Sequence, residues 1–103
     1  MNNLFILNNL NNKTCIICNT NNFMEQIYYN LLNSSQKFNI YHIIRNKNQI
    51  RLYTDKNYMS FIDIVLYCNY QNNKYDKYLI DETLSNKNFS ELNVKETICY
   101  ITI

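Results

Sequence analysis

The stretch Cys15-Ile16-Ile17-Cys18, with the residues on either side of it, decides how this chain is read. An apolar run, Leu4-Phe5-Ile6-Leu7, precedes it. Phe23-Met24-Glu25-Gln26-Ile27-Tyr28-Tyr29-Asn30-Leu31-Leu32 follows and repeats apolar residues at helical spacing. The expected order is strand, loop, cysteine pair, helix. At a helix N-terminus the orphan amide N–H groups and the positive end of the dipole stabilise a thiolate, the reactive form of a thiol whose free pKa is about 8.5. A cysteine placed there attacks a disulfide, and a second one a turn later shares its face and resolves the mixed disulfide. On this reading the pair is a redox dithiol. Half of a metal site and an inert pair are the two other readings.

The dithiol reading needs the helix to start early, with Thr14 as N-cap and Ile16, Ile17, Thr20 and Phe23 leading into the later stripe. A late start is the alternative. Asn19-Thr20-Asn21-Asn22 is weak helix sequence, and Asn22 with Glu25 resembles a capping box. That start leaves the cysteines outside the helix and favours a metal site.

A chain of 103 residues is expected to form one domain, residues 1–103, with a modest core. Hydrophobic content of 47%, with Tyr 10 and Phe 5, argues against disorder. A net charge of +2 is too mild for a nucleic-acid footprint, so no nucleic-acid partner is expected. Arg45, Lys47 and Arg51 form only a short patch, read as a solvated loop. The absence of Gly, Pro and Trp tracks an AT-rich genome, and leaves Asn as the residue for turns. No stretch approaches the roughly 18 apolar residues of a membrane span, and the N-terminus lacks a signal-peptide pattern, so a cytoplasmic location is expected. Four cysteines are too few for a secreted disulfide scaffold. In a reducing compartment, close pairs are usually catalytic or metal-binding.

In chain order, Asn3 to Leu7 is expected to be a strand and Phe38 to Ile44 a second, parallel to it through a right-handed crossover. Between 45 and 57 the island Ile50, Leu52, Tyr53 reads as one helical turn. Met59 to Tyr70 holds a buried strand, Asn69 to Lys74 a hairpin turn, Tyr75 to Asp81 the returning strand. Phe89 to Ile103 is expected to close the domain as a helix. The order β-α-β-(connector)-β-β-α is that of the thioredoxin fold, an α/β arrangement with a mixed four-stranded sheet flanked by helices. His42, Cys68 and Cys99 are isolated and read as packing residues, the Tyr stripes as core and rim rather than a platform for bases. No Gly-rich phosphate loop or HExxH pattern occurs, and Asp81-Glu82 alone is not a catalytic carboxylate pair. No cofactor and no metal is expected.

The chain resembles the poxviral glutaredoxin-2 family, small thioredoxin-like proteins of virion assembly. Asn2 to Leu7 and then Thr14-Cys15-Ile16-Ile17-Cys18-Asn19 look like the family's first strand and its CxIC dithiol. Phe38-Asn39-Ile40-Tyr41-His42 is similar to its second strand. Ile62-Asp63-Ile64-Val65-Leu66-Tyr67, Asn69-Tyr70-Gln71 and Tyr78-Leu79-Ile80-Asp81-Glu82-Thr83-Leu84 look like its long hairpin. The AT-rich composition suits the insect-infecting branch of such viruses. The chain is shorter than the family between its second and third strands and at the C-terminus.

The resemblance implies a thiol–disulfide oxidoreductase of the host cytoplasm. An upstream viral sulfhydryl oxidase and a small dithiol carrier would oxidise it, and it would pass disulfides to viral membrane proteins. Cys15 would be the nucleophile and Cys18 the resolving thiol, forming the redox-active disulfide. One departure is that Pro 0 rules out the cis-proline that faces the dithiol in thioredoxins, so partner docking would use other residues, such as the 53–60 loop. A zinc-binding adaptor, with Cys15 and Cys18 joined by Cys68, Cys99 or His42, is the second function class. A catalytically inactive thioredoxin-like interaction module is the third. A homodimer is compatible with all of them.

Overall fold

Thr14-Cys15-Ile16-Ile17-Cys18 is β sequence: three of its five residues are β-branched, and such side chains pack best on a pleated sheet. In the computed structural model, which describes residues 13–33, 39–70, 75–87 and 98–101, this stretch is strand β1, Lys13–Cys18. The expected strand at Asn3 to Leu7 lies outside the described residues. Helix α1, Asn21–Asn33, begins after the weak Asn-Thr-Asn-Asn segment. Its N-cap is Thr20, whose hydroxyl accepts the Phe23 N–H at 3.1 Å while its carbonyl accepts the Met24 N–H. The early start is therefore corrected to the late one, with Thr20 rather than Thr14 or Asn22 as the cap. Met24, Ile27 and Leu31 form the buried stripe of α1.

Five more strands complete the sheet: β2 His42–Arg45, β3 Gln49–Tyr53, β4 Phe61–Leu66, β5 Lys77–Asp81 and β6 Ile98–Ile101. Their order is β2-β3-β4-β1-β5-β6. β4, β1, β5 and β6 run parallel, and β3 is antiparallel to both β2 and β4. The class is mixed α/β, as expected. The sheet has six strands rather than four.

Each departure has a local cause. Gln49-Ile50-Arg51-Leu52-Tyr53 alternates between the faces, so the expected helical turn is a strand. It is joined to β2 through Asn46, whose side-chain oxygen accepts the N–H groups of Asn48 and Gln49, each at 3.0 Å. Among the described residues β2 pairs with β3 and lies at the edge of the sheet; its expected parallel partner, Asn3 to Leu7, is outside them. β4 and β5 do not form a hairpin, because β1 is inserted between them. Of the closing helix expected over Phe89 to Ile103, residues 89–97 lie outside the described residues, and Ile98–Ile101 is instead a strand paired with β5.

The sheet divides two apolar clusters. On the α1 side lie Ile16 and Cys18 with Ile50, Leu52, Ile62, Ile64, Leu79 and Ile101. On the other side lie Cys15 and Ile17 with Val65, Tyr78, Ile80, Tyr75 and Leu84. β1 is buried on both faces from Thr14 onward, as a central parallel strand must be.

Candidate functional site

Strand geometry separates the two cysteines. Successive side chains alternate, so residues three apart point to opposite faces and lie about 10 Å apart along the strand. Cys15 belongs to one apolar cluster and Cys18 to the other. A disulfide needs Cα atoms within about 7 Å and converging Cβ vectors. As placed, the two thiols do not meet that requirement. Neither stands at a helix N-terminus, and Thr14 lies in β1 with its hydroxyl buried and without a partner among the described residues.

The thiols are not activated either. Burial pushes the Cys15 thiol well above its ordinary value, and the Asp63 and Cys18 charges push the same way, while a hydrogen bond with Tyr75 opposes them. Burial also raises Cys18, with Asp81 adding to it. Both are protonated thiols at neutral pH. Tyr78, paired in register with Cys15, has its phenol pushed up to about 12 by burial and by the Cys15 charge.

Around Cys15 the sheet carries a polar row. Arg51 on β3, Asp63 on β4 and Cys15 on β1 are cross-strand neighbours in register. The Asp63 carboxylate, fully buried, accepts from Arg51 Nε at 2.6 Å and Nη2 at 2.8 Å, and from the Tyr75 hydroxyl at 2.6 Å. The Arg51 guanidinium lies 3.8 Å from the centre of the Phe61 ring. Sequence reasoning missed this network, although a signal existed. Asp63 is the single charge within Phe61–Leu66, and Arg51 the single charge within Gln49–Tyr53, with opposite signs.

A second polar arrangement lies at the carboxyl ends of β1 and β5. Asp81 is 3% exposed, and one carboxylate oxygen accepts the Asn19 N–H at 3.1 Å. Its other oxygen accepts the N–H and hydroxyl of Thr83, at 3.1 and 3.0 Å. Asn19 Nδ2 closes the ring by donating to the Thr83 hydroxyl at 3.1 Å. This staple holds together the loops that follow the two strands. Between them and the first turns of α1 opens a cleft of about 470 Å³. Thr20, Asn22, Phe23, Gln26 and Glu82 complete its lining, which holds two carboxylates and no Lys, Arg or His.

The remaining candidates are scattered. His42 is on edge strand β2, with its ring stacked against Tyr53 at 6.2 Å. Cys68 is exposed in the 3-10 turn Tyr67–Asn69. Cys99 lies on β6, and its side chain is outside the described residues. Among the described residues no three of His, Cys, Asp and Glu gather as metal ligands, and no helix is long and apolar enough to cross a membrane. No protein-family model, curated protein or solved structure matches the chain.

Proposed function

We propose that this domain is a binding module for a small polar ligand, held in the cleft at the carboxyl ends of β1 and β5. One observation carries the reading. The chain leaves β1 toward the β2 edge and leaves β5 toward the β6 edge, so the cleft lies where adjacent parallel strands send their connections opposite ways. Open α/β sheets bind ligands at that point, outside the carboxyl ends of the strands. The chemistry of the lining fixes the class. Amides of Asn22 and Gln26, the Thr20 hydroxyl and the Glu82 carboxylate suit a ligand that presents hydroxyl or amide groups, and Phe23 offers a ring to pack on. Two carboxylates without a basic side chain disfavour an anion.

Saturation-transfer NMR with adenosine, uridine and glucose tests this, with AMP as the anionic control. At least one uncharged probe should bind, AMP about tenfold more weakly or worse. Gln26→Ala and Glu82→Ala, both at exposed positions, should abolish the signal with the fold intact. Silence from all three uncharged probes overturns the reading.

The thiol–disulfide relay is the second reading, favoured by the Cys-Ile-Ile-Cys sequence and by the family resemblance. It requires Cys15 and Cys18 to leave opposite faces of β1. Intact mass after treatment with oxidised glutathione separates the two readings in a Cys68→Ser, Cys99→Ser background. Loss of two hydrogens with the circular dichroism unchanged restores the relay. An unchanged mass supports the binding module.

A further inference from the structure

Edge strands of stable monomers are usually blunted by Lys, Pro, a bulge or a covering loop. β2, His42-Ile43-Ile44-Arg45, has neither Lys nor Pro, and among the described residues it pairs only with β3. Its single formal charge, Arg45, is bound to Glu25 and lies 5.0 Å from the Tyr28 ring on the α1 side. Large apolar side chains are exposed at β2 and on the elements that follow or face it. Tyr29 (57%), Tyr41 (43%), Ile44 (44%), Tyr58 (54%) and Met59 (68%) are the exposed large hydrophobic residues among those described. Tyr41 and Ile44 lie at β2 itself. Tyr29 packs at 5.3 Å on Tyr28, and Tyr58 reaches His42 at 5.8 Å and Tyr53 at 4.6 Å. Tyr and Arg, which gather at this strand, are among the residues enriched in interface cores.

The Tyr58 ring is held there under strain. Its φ is 59°, in the left-handed region, which costs a bulky residue about 1–2 kcal/mol. Asp55 secures the loop by accepting the Met59 and Ser60 N–H groups at 2.8 and 2.9 Å. Backbone strain that displays an exposed ring marks a surface with a use.

We propose that β2 pairs antiparallel with β2 of a second copy of this chain, about a two-fold axis at Ile43. The sequence of the strand is complementary to itself in that register. Tyr41 then faces Arg45 of the second copy on the α1 side, twice by symmetry, and His42 faces Ile44 on the other side. No like charges meet. Pairing satisfies the β2 N–H and C=O groups that β3 leaves open among the described residues, the Tyr41 N–H being already given to the Tyr53 carbonyl at 2.8 Å, and the Tyr58 and Met59 loops extend the contact beyond the short strands. The inference is independent of the cleft, which lies at the carboxyl ends of β1 and β5.

Sedimentation velocity on the full chain tests it. A dimer of twice the 12.5 kDa monomer is expected. Tyr41→Arg sets like charges opposite each other and should weaken association about tenfold, whereas Tyr41→Glu, facing Arg45, should hold or tighten it. Ile44→Asp should give a monomer whose circular dichroism is unchanged. A wild-type chain that is monomeric at all concentrations overturns the proposal, including one that dimerises only when residues 2–12 are removed. A dimer indifferent to all three substitutions overturns it as well.

Discussion

The two faces of β1 treat the same side chain differently. On the α1 side, Cys18 is packed in the apolar cluster under the helix, with the Asp81 carboxylate near enough to raise its thiol. On the other side, Cys15 sits in a row of polar groups, with Asp63 on one neighbouring strand and Tyr78 on the other. One face is a packed apolar core. The other is a network in which a buried carboxylate is compensated by Arg51 and Tyr75. A symmetric-looking sequence motif thus holds two unlike residues, and the difference comes from the period of a strand.

The largest test of that contrast is Asp63→Asn. Removing the charge strips Arg51 and Tyr75 of their shared partner in a buried site. The Arg51 side chain is 29% exposed, which tempers the loss. A fall of about 3 kcal/mol in urea unfolding at pH 7 is expected, the lower end of what breaking one side of a buried pair costs. A loss under about 1 kcal/mol would mean that this face is no more specialised than the other.

The second test uses pH and treats both faces alike. Cys15 and Cys18 have folded values raised above that of a free thiol, so the folded chain keeps protons that the unfolded chain gives up. Stability is therefore full below about pH 9 and falls above it, by about 1.4 kcal/mol per pH unit for each thiol until its folded value is reached. Thermal melts between neutral and alkaline pH should show the decline, Cys18→Ala should lessen it, and above about pH 10 the Tyr75 and Tyr78 phenols, both raised by burial, add to it. A flat profile would mean that the thiols are less buried than the sheet makes them.

Serine scanning separates the faces by a smaller margin. Cys15→Ser places a hydroxyl beside Tyr75, where a hydrogen-bond partner waits, whereas Cys18→Ser places one among aliphatic groups. Cys18→Ser should be the costlier by about 1 kcal/mol. Equal costs would erase the distinction. Smallest of all is Glu25→Gln at the exposed pair with Arg45, expected to leave the urea midpoint unchanged within error.

The parts of this fold legible in the sequence are those that repeat locally. The stripe Met24, Ile27, Leu31 announces α1, and Ile62–Leu66 and Tyr78–Ile80 announce β4 and β5. The mixed α/β class follows from them. What was not legible is pairing between distant strands. Nothing in β4 or β5 states that β1 comes between them, so a turn rich in Asn read as a hairpin. The cysteine spacing also outweighed a plainer signal, since Ile16 and Ile17 between the cysteines favour a strand. The cleft was harder still. Asn19 and Thr83 acquire a role only once Asp81 joins the ends of β1 and β5, and in sequence Asp81-Glu82 is merely two adjacent acids.

The central place of β1 also bears on the order of events during synthesis. The strand leaves the ribosome well before both its neighbours, 61–66 and 77–80. Parallel pairing over such separations is slow, because long loops must close before any contact rewards them. Until then Cys15 and Cys18 belong to a flexible chain, solvated, of ordinary acidity and free to approach each other. The nascent polypeptide, rather than the finished domain, is the species in which an oxidant would join them, and a disulfide made at that stage would bar β1 from extending into its slot.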